Sequence, residues 1–278
     1  MAEIVKSQKQ ADITELVMNR ISDLTARGML QVPTNYSAAN ALKAAWLVLQ
    51  DSSDKDKPPI LTTCTQASIA NALLKMVILG LNPAKNQCYF IPYGKECTLI
   101  RSYFGAIAVA KAANHDVLHI SAEVIRKGQT FTYSRSKGKT VVTEHSQTLT
   151  DDVQPIIGAY CTVVYNDGSE DNTIMTFDEI KKSWKKSRVK PVNDDGTLKV
   201  GSTHEQFTVE MCKRTVINRA CKSIINSSSD SDLLCSVWNE VQEAAAEADT
   251  AAKIDDEANS ILLDFDEETG EVEAADEY

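Results

Sequence analysis

The segment from Asn82 to Gly105, NPAKNQCYFIPYGKECTLIRSYFG, leaves this chain few choices of local structure. Cys88-Tyr89-Phe90-Ile91 is a β-prone run, Pro92-Tyr93-Gly94 interrupts it, and Cys97 to Ile100 is a second run. The pattern predicts a hairpin. Arg101 follows at once, and Ser102 stands where it can cap a helix carrying Tyr103, Phe104, Ala106, Ile107, Val109 and Ala110. A cation beside a capping hydroxyl suits an anion, because the first-turn N–H groups of a helix have no intrahelical acceptor. Tyr89, Phe90, Tyr93 and Phe104 read as core residues that hold this corner rigid, with Tyr103 the aromatic expected to reach a ligand.

Helical spacing surrounds the hairpin. Ile13, Leu16, Val17, Ile21 and Leu24 recur on one face up to Gly28, Ser37 to Gln50 is a second helix, and Asp51 to Pro59 is a polar loop. Thr65 caps a third helix that stops at Gly80. Downstream, strands are predicted over Val117 to Tyr133, Thr140 to Ser146 and Ile156 to Tyr165. The last turns at Asn166-Asp167-Gly168 into Thr173 to Thr176. Asp178 is read as the cap of a short helix bearing Ile180 and Trp184, and Thr203 to Gln206 as a capping box opening a long helix to about Ile225. A final helix starts near Asp230. The fold class expected is α+β: a small antiparallel sheet with hairpins packed on several helices, followed by a disordered acidic C-terminal tail.

Charge divides the chain sharply. Residues 241–278 hold 14 Asp and Glu against one Lys, or −13, so residues 1–240 carry +3 of the total of −10. Lys181 to Lys222 holds 11 Lys and Arg against four acids, a local +7. The expected division is therefore a binding and oligomerisation core over 1–240 and a flexible tail over 241–278, available for docking a partner. Within the tail, Ser260 to Asp266 (SILLDFD) is open to two readings, a linear docking motif or an unstructured remnant. Lys181, Lys185 and Arg188 recur at i, i+4, i+7 beside Lys182 and Lys186, with Lys190 beyond. Arg214, Asn218 and Lys222 form a second stripe flanked by Lys213 and Arg219. No acid falls between Lys181 and Lys190, although surface helices ordinarily interleave Glu with Lys. Phosphates explain such cations better than solvent does.

The wording of several segments adds a resemblance. Leu79 to Pro83, Gln87 to Gly94, Arg101 to Gly105 and Met211 to Arg219 (MCKRTVINR) resemble the signature of the RecT family of phage single-strand DNA annealing proteins. Roughly residues 10 to 235 are compatible with it. The resemblance implies an ATP-independent protein that pairs complementary strands in homologous recombination. It would form homo-oligomeric rings or helical filaments on single-stranded DNA and annealed duplex, and work with a partner exonuclease and the host single-strand binding protein. By position it implies DNA contacts from Arg101, Ser102, Tyr103, Lys111, Lys213, Arg214 and Arg219. Lys181, Lys182, Lys185, Lys186, Arg188, Lys190 and Lys222 rest on charge pattern.

No catalytic constellation is expected, nor any cofactor or metal. Gly138-Lys139-Thr140 has the end of a Walker phosphate loop, but Tyr133 stands where its first glycine belongs. His115 and His119 lack a third ligand nearby. The rival readings are a Mg-dependent nuclease built on Asp167, Glu179 and Lys181, and a non-enzymatic adaptor acting through the tail. Seven cysteines without a CxxC pair read as reduced thiols, and no apolar run approaches 18 residues, so a cytoplasmic protein of the bacterial host cell is expected, with no membrane association.

Overall fold

A computed structural model describes residues 2–30, 32–33, 35–50, 58–148, 153–187, 190–228 and 232–247. Arg188, most of the 51–59 loop and everything after 247, including the SILLDFD patch, lie outside the described residues. The chain is α+β, with helices predominating over small antiparallel sheets. Helices α1 (Ala2–Ala26), α2 (Ala38–Gln50), α3 (Ile60–Thr63) and α4 (Gln66–Ile78) come first. Thr65 caps α4 by accepting from the Ser68 N–H at 3.3 Å, and Gly80, at φ 65°, turns the chain away from the helix. Left-handed backbone there favours a residue without Cβ.

The expected hairpin is β1 (Cys88–Tyr93) and β2 (Glu96–Arg101), leading into α5 (Tyr103–Ala113). Three further strands, β3 (Val117–Arg126), β6 (Ile156–Tyr165) and β7 (Glu170–Thr176), form an antiparallel sheet in the order β3-β6-β7. Between β3 and β6 the chain makes a separate hairpin, β4 (Phe131–Ser136) and β5 (Lys139–His145). The single strand expected over Val117 to Tyr133 is thus two, broken at Gly128, whose φ of 92° no strand residue adopts.

The C-terminal half comprises α6 (Phe177–Lys185), α7 (Thr203–Gln206), α8 (Thr208–Asn226) and α9 (Asp232–Glu247). Two expected caps move. Thr176, not Asp178, caps α6: its hydroxyl accepts from the Glu179 N–H, while Glu179 Oε2 accepts from the Thr176 N–H at 2.9 Å. The long helix opens in two pieces, because Ser202 caps only the short α7 and Phe207 (φ −122°, ψ 48°) breaks the path before α8.

Helix α8 packs across the three-stranded sheet with its buried Cys212, Val216, Ala220 and Ile224, and α5 lies against it. The β1–β2 hairpin is covered by α4 and α9. One contiguous hydrophobic core runs from Ile13 on α1 to Val241 on α9. The expected boundary after residue 240 falls inside α9, since Val241 is itself buried core. Trp238 is fully buried, and removing its ~200 Å² from water contributes about 5 kcal/mol before ordering entropy.

Candidate nucleic-acid interface

The β2–α5 junction is built as its sequence suggests. Ser102 Oγ accepts from the Gly105 N–H at 3.2 Å and donates to the Asn86 carbonyl at 2.6 Å. Gly105 is required by space: a Cβ there would lie 2.2 Å from the Gln87 carbonyl oxygen and 2.8 Å from Arg101 Cγ. Arg101 and Ser102 do not reach solvent, however. Arg101 is 6% and Ser102 5% exposed. The Arg101 guanidinium stacks 3.5 Å from the centroid of Trp238, and its Nη2 donates to Gln242 Oε1 at 2.6 Å. Its Nε and Nη1 have no acceptor among the described residues. Burial pushes its pKa down to about 9, and the like charge of Arg214 adds to the fall.

The expectation of Arg101 and Ser102 as an open wall of a DNA groove is therefore corrected. The apolar face of Trp238 covers one, and capping occupies the hydroxyl of the other. Tyr103 is half-buried against Phe104, with ring centroids 4.1 Å apart, and it is Phe104 that faces outward at 45% exposure. Lys111 is exposed eight residues along α5, on the order of 12 Å further along the axis. There it lines a polar groove of about 1070 Å³ with Lys85, Asn82, Gln87 and His115.

The basic helices do come together. Trp184 Nε1 on α6 donates to Thr215 Oγ1 on α8 at 2.8 Å, while Glu179 at the start of α6 feels the charge of Arg219. The helices thus pass in opposite directions, which sets Lys182 towards the Arg219 end of the contact and carries Lys185 and Lys186 past Thr215, away from Lys222; all five of these cations are exposed. None of these five has an ion-pair partner within 4.0 Å among the described residues. Lys181 differs: it pairs with Asp178 at 3.1 Å and lies 5.1 Å from the Phe177 ring. Lys213 is likewise engaged, 3.1 Å from Glu123. Arg214 lies inward, near both Arg101 and His204. Lys190 is exposed with a left-handed backbone, φ 42°.

Sequence reasoning missed two contributors. The tip of the β4–β5 hairpin carries Arg135 on β4, Lys137 in the turn and Lys139 on β5, and Tyr133 beside them is 47% exposed, with the Arg135 guanidinium 5.5 Å above its ring. The run RSKGK was the available signal. Trp238 and Gln242, which roof Arg101, had none, since no local pattern links them to a residue 141 positions away.

The acids of the nuclease reading are apart. Asp167 sits in the β6–β7 turn, accepting from the Ser169 N–H at 2.8 Å, and Glu179 belongs to the α6 capping box. The whole of β7 separates them, on the order of 20 Å. Hydrogen bonds from Ser169 and Thr176 hold the two carboxyls below their usual range. Lys137 and Gly138 form a hairpin turn that leads into strand β5 at Lys139 rather than a strand-to-helix loop, and no helix among the described residues is long and apolar enough to cross a membrane.

A model of the RecT family matches residues 39–260, most of the chain. The chain belongs to the RecT family. That makes it a member of a family of phage single-strand annealing proteins acting in DNA recombination, whose work is annealing and DNA binding. The match extends past the last described residue into the acidic stretch, further than the sequence motifs alone reach. A search of curated proteins finds no match.

Proposed function

We propose that this RecT-family chain holds single-stranded DNA along the face formed by α6 and α8 and accelerates pairing of complementary strands without ATP. The observation that carries this is the set Lys182, Lys185, Lys186, Arg219 and Lys222 on the paired helices α6 and α8, exposed and without an ion-pair partner within 4.0 Å among the described residues. Cations so arranged bind a phosphate backbone irrespective of sequence and leave base choice to Watson–Crick pairing. Lys190 and Arg188 extend the set in sequence, Lys111 adds a charge on α5, and the tip of the β4–β5 hairpin supplies cations with an exposed tyrosine. Annealing makes and breaks no covalent bond, so the reading asks for no catalytic group, cofactor or metal.

The chain acts as a homo-oligomer, ring or filament, in this reading. Leu16, Leu47 and Val48, 61%, 67% and 44% exposed on α1 and α2, support it as apolar surface suited to a second copy. The acidic C-terminal stretch docks an exonuclease or a host single-strand binding protein. The test is a fluorescence annealing assay with complementary oligonucleotides and no nucleotide triphosphate. Wild type accelerates annealing and the Lys182→Ala/Lys185→Ala/Lys186→Ala variant does so far less; no acceleration by wild type rejects the reading.

A further inference from the structure

Arg101 has the features of an anion site that has been closed over. Its guanidinium is buried, yet Nε and Nη1 lack acceptors, and the one acceptor it has is the neutral amide of Gln242. No carboxylate pairs with it among the described residues, and the charge of another cation, Arg214, acts on it. The Cys221 thiol cannot serve as counter-ion, because burial pushes its pKa up to about 12. A buried charge without a partner is costly, and a guanidinium does not shed its proton at neutral pH. The roof has a cost of its own: Trp238 Nε1 is also buried without an acceptor. Beside Arg101 lies the Ser102-capped N-terminus of α5, an 11-residue helix whose dipole favours an anion.

All of this roof comes from one element. Trp238, Gln242 and Glu240 belong to α9, and Glu240 ties the helix to α4 through Lys75 at 2.6 Å. Helix α9 leads directly into residues 248–278, which hold 12 Asp and Glu against one Lys, or −11.

We propose that α9 is a displaceable lid over a phosphate site formed by Arg101, and that a DNA phosphodiester opens it by replacing Gln242 on the guanidinium. A phosphodiester offers the paired oxygens that a planar guanidinium matches, which a single amide oxygen does not. DNA repels the acidic stretch beyond α9, so electrostatics drives the lid and the incoming strand apart. The proposal rests on the DNA-binding reading above and adds its regulation: the closed chain keeps its strongest phosphate ligand out of reach until a strand has engaged the α6–α8 face.

The test uses the full chain, with hydrogen exchange of the α9 amides and oligo(dT) anisotropy measured on the same samples. DNA raises α9 exchange. Lys75→Glu and Glu240→Lys each break the tie to α4, raise α9 exchange without DNA and tighten oligo(dT) binding by about two- to five-fold. Gln242→Glu gives Arg101 a carboxylate, slows α9 exchange and weakens binding by about three- to ten-fold. Lys75→Glu and Gln242→Glu both add negative charge, yet shift affinity in opposite directions. Parallel weakening by both overturns the lid, as does α9 exchange unchanged while DNA is bound. Inorganic phosphate at matched ionic strength leaves α9 closed; opening by phosphate alone overturns the assignment to DNA. Absence of any DNA binding removes the reading beneath the proposal, an outcome distinct from binding under a closed lid.

Discussion

Arg101 and the α6 lysines carry the same charge into opposite environments. Lys182, Lys185 and Lys186 stand in water on a helix whose other face buries Ile180 and Trp184. Their charge costs the fold little, so removing it should change binding and nothing else. Arg101 is dry, stacked on Trp238 and short of acceptors. Its charge is a burden on the folded state. The first arrangement attracts a polyanion from a distance, whereas the second can reward one only after rearrangement.

The buried corner should fail most severely when its geometry is altered. Gly105→Val drives a side chain into the Gln87 carbonyl, and thermal unfolding should register a loss of about 3 kcal/mol, or about 6–12 °C. Tolerance of valine would mean that the junction is not rigid.

The dry side also titrates. Burial and the charge of Arg214 push His204, packed edge-on against Trp184, down to about 4 from 6.5. The folded state therefore keeps this imidazole neutral, while the unfolded chain protonates it at higher pH. Its contribution is intact above about pH 6.5 and is lost progressively as pH falls towards 4, roughly 2–3 kcal/mol in all. Comparing unfolding of wild type and His204→Phe at pH 7.5 and 5 should show the variant less acid-sensitive.

On the wet side, Lys182→Ala/Lys185→Ala/Lys186→Ala should weaken single-strand binding about 10- to 100-fold at low salt. It should flatten the log–log salt slope by about 2 and leave the melting temperature within about 1 °C. A large fall in melting temperature would erase the contrast between the two regions. The smallest effect is expected from Arg101→Met, an apolar side chain of similar reach. Its stability should be unchanged or higher by up to about 1 kcal/mol, because a buried unpaired charge is removed. Marked destabilisation would instead make the Trp238 stack a structural necessity.

Much of the fold was readable because its signals are local. Thr65 and Ser102 cap helices as their positions suggest, and the Asn166-Asp167-Gly168 turn joins β6 to β7. Where the reading slipped, a neighbour competed successfully. Thr176 took the α6 cap from Asp178, and Ser202 with Phe207 split one expected helix in two. For the candidate site, residue type and charge marked α6 and α8; the i,i+3 pair of Asp178 with Lys181 was legible in the spacing, but the pair of Lys213 with Glu123 could be found only in three dimensions.

By itself the sequence determined the kind of chain this is: its hairpin and capped helix, its basic segment, its acidic end and the motifs of its family. These depend on residues within a few positions of one another, where backbone preference and charge spacing act directly. Only the tertiary structure decided which cations face water. Arg101 is enclosed by Trp238 and Gln242 from the far end of the chain, because the β1–β2 hairpin leaves a hydrophobic surface that α9 is apolar enough to cover.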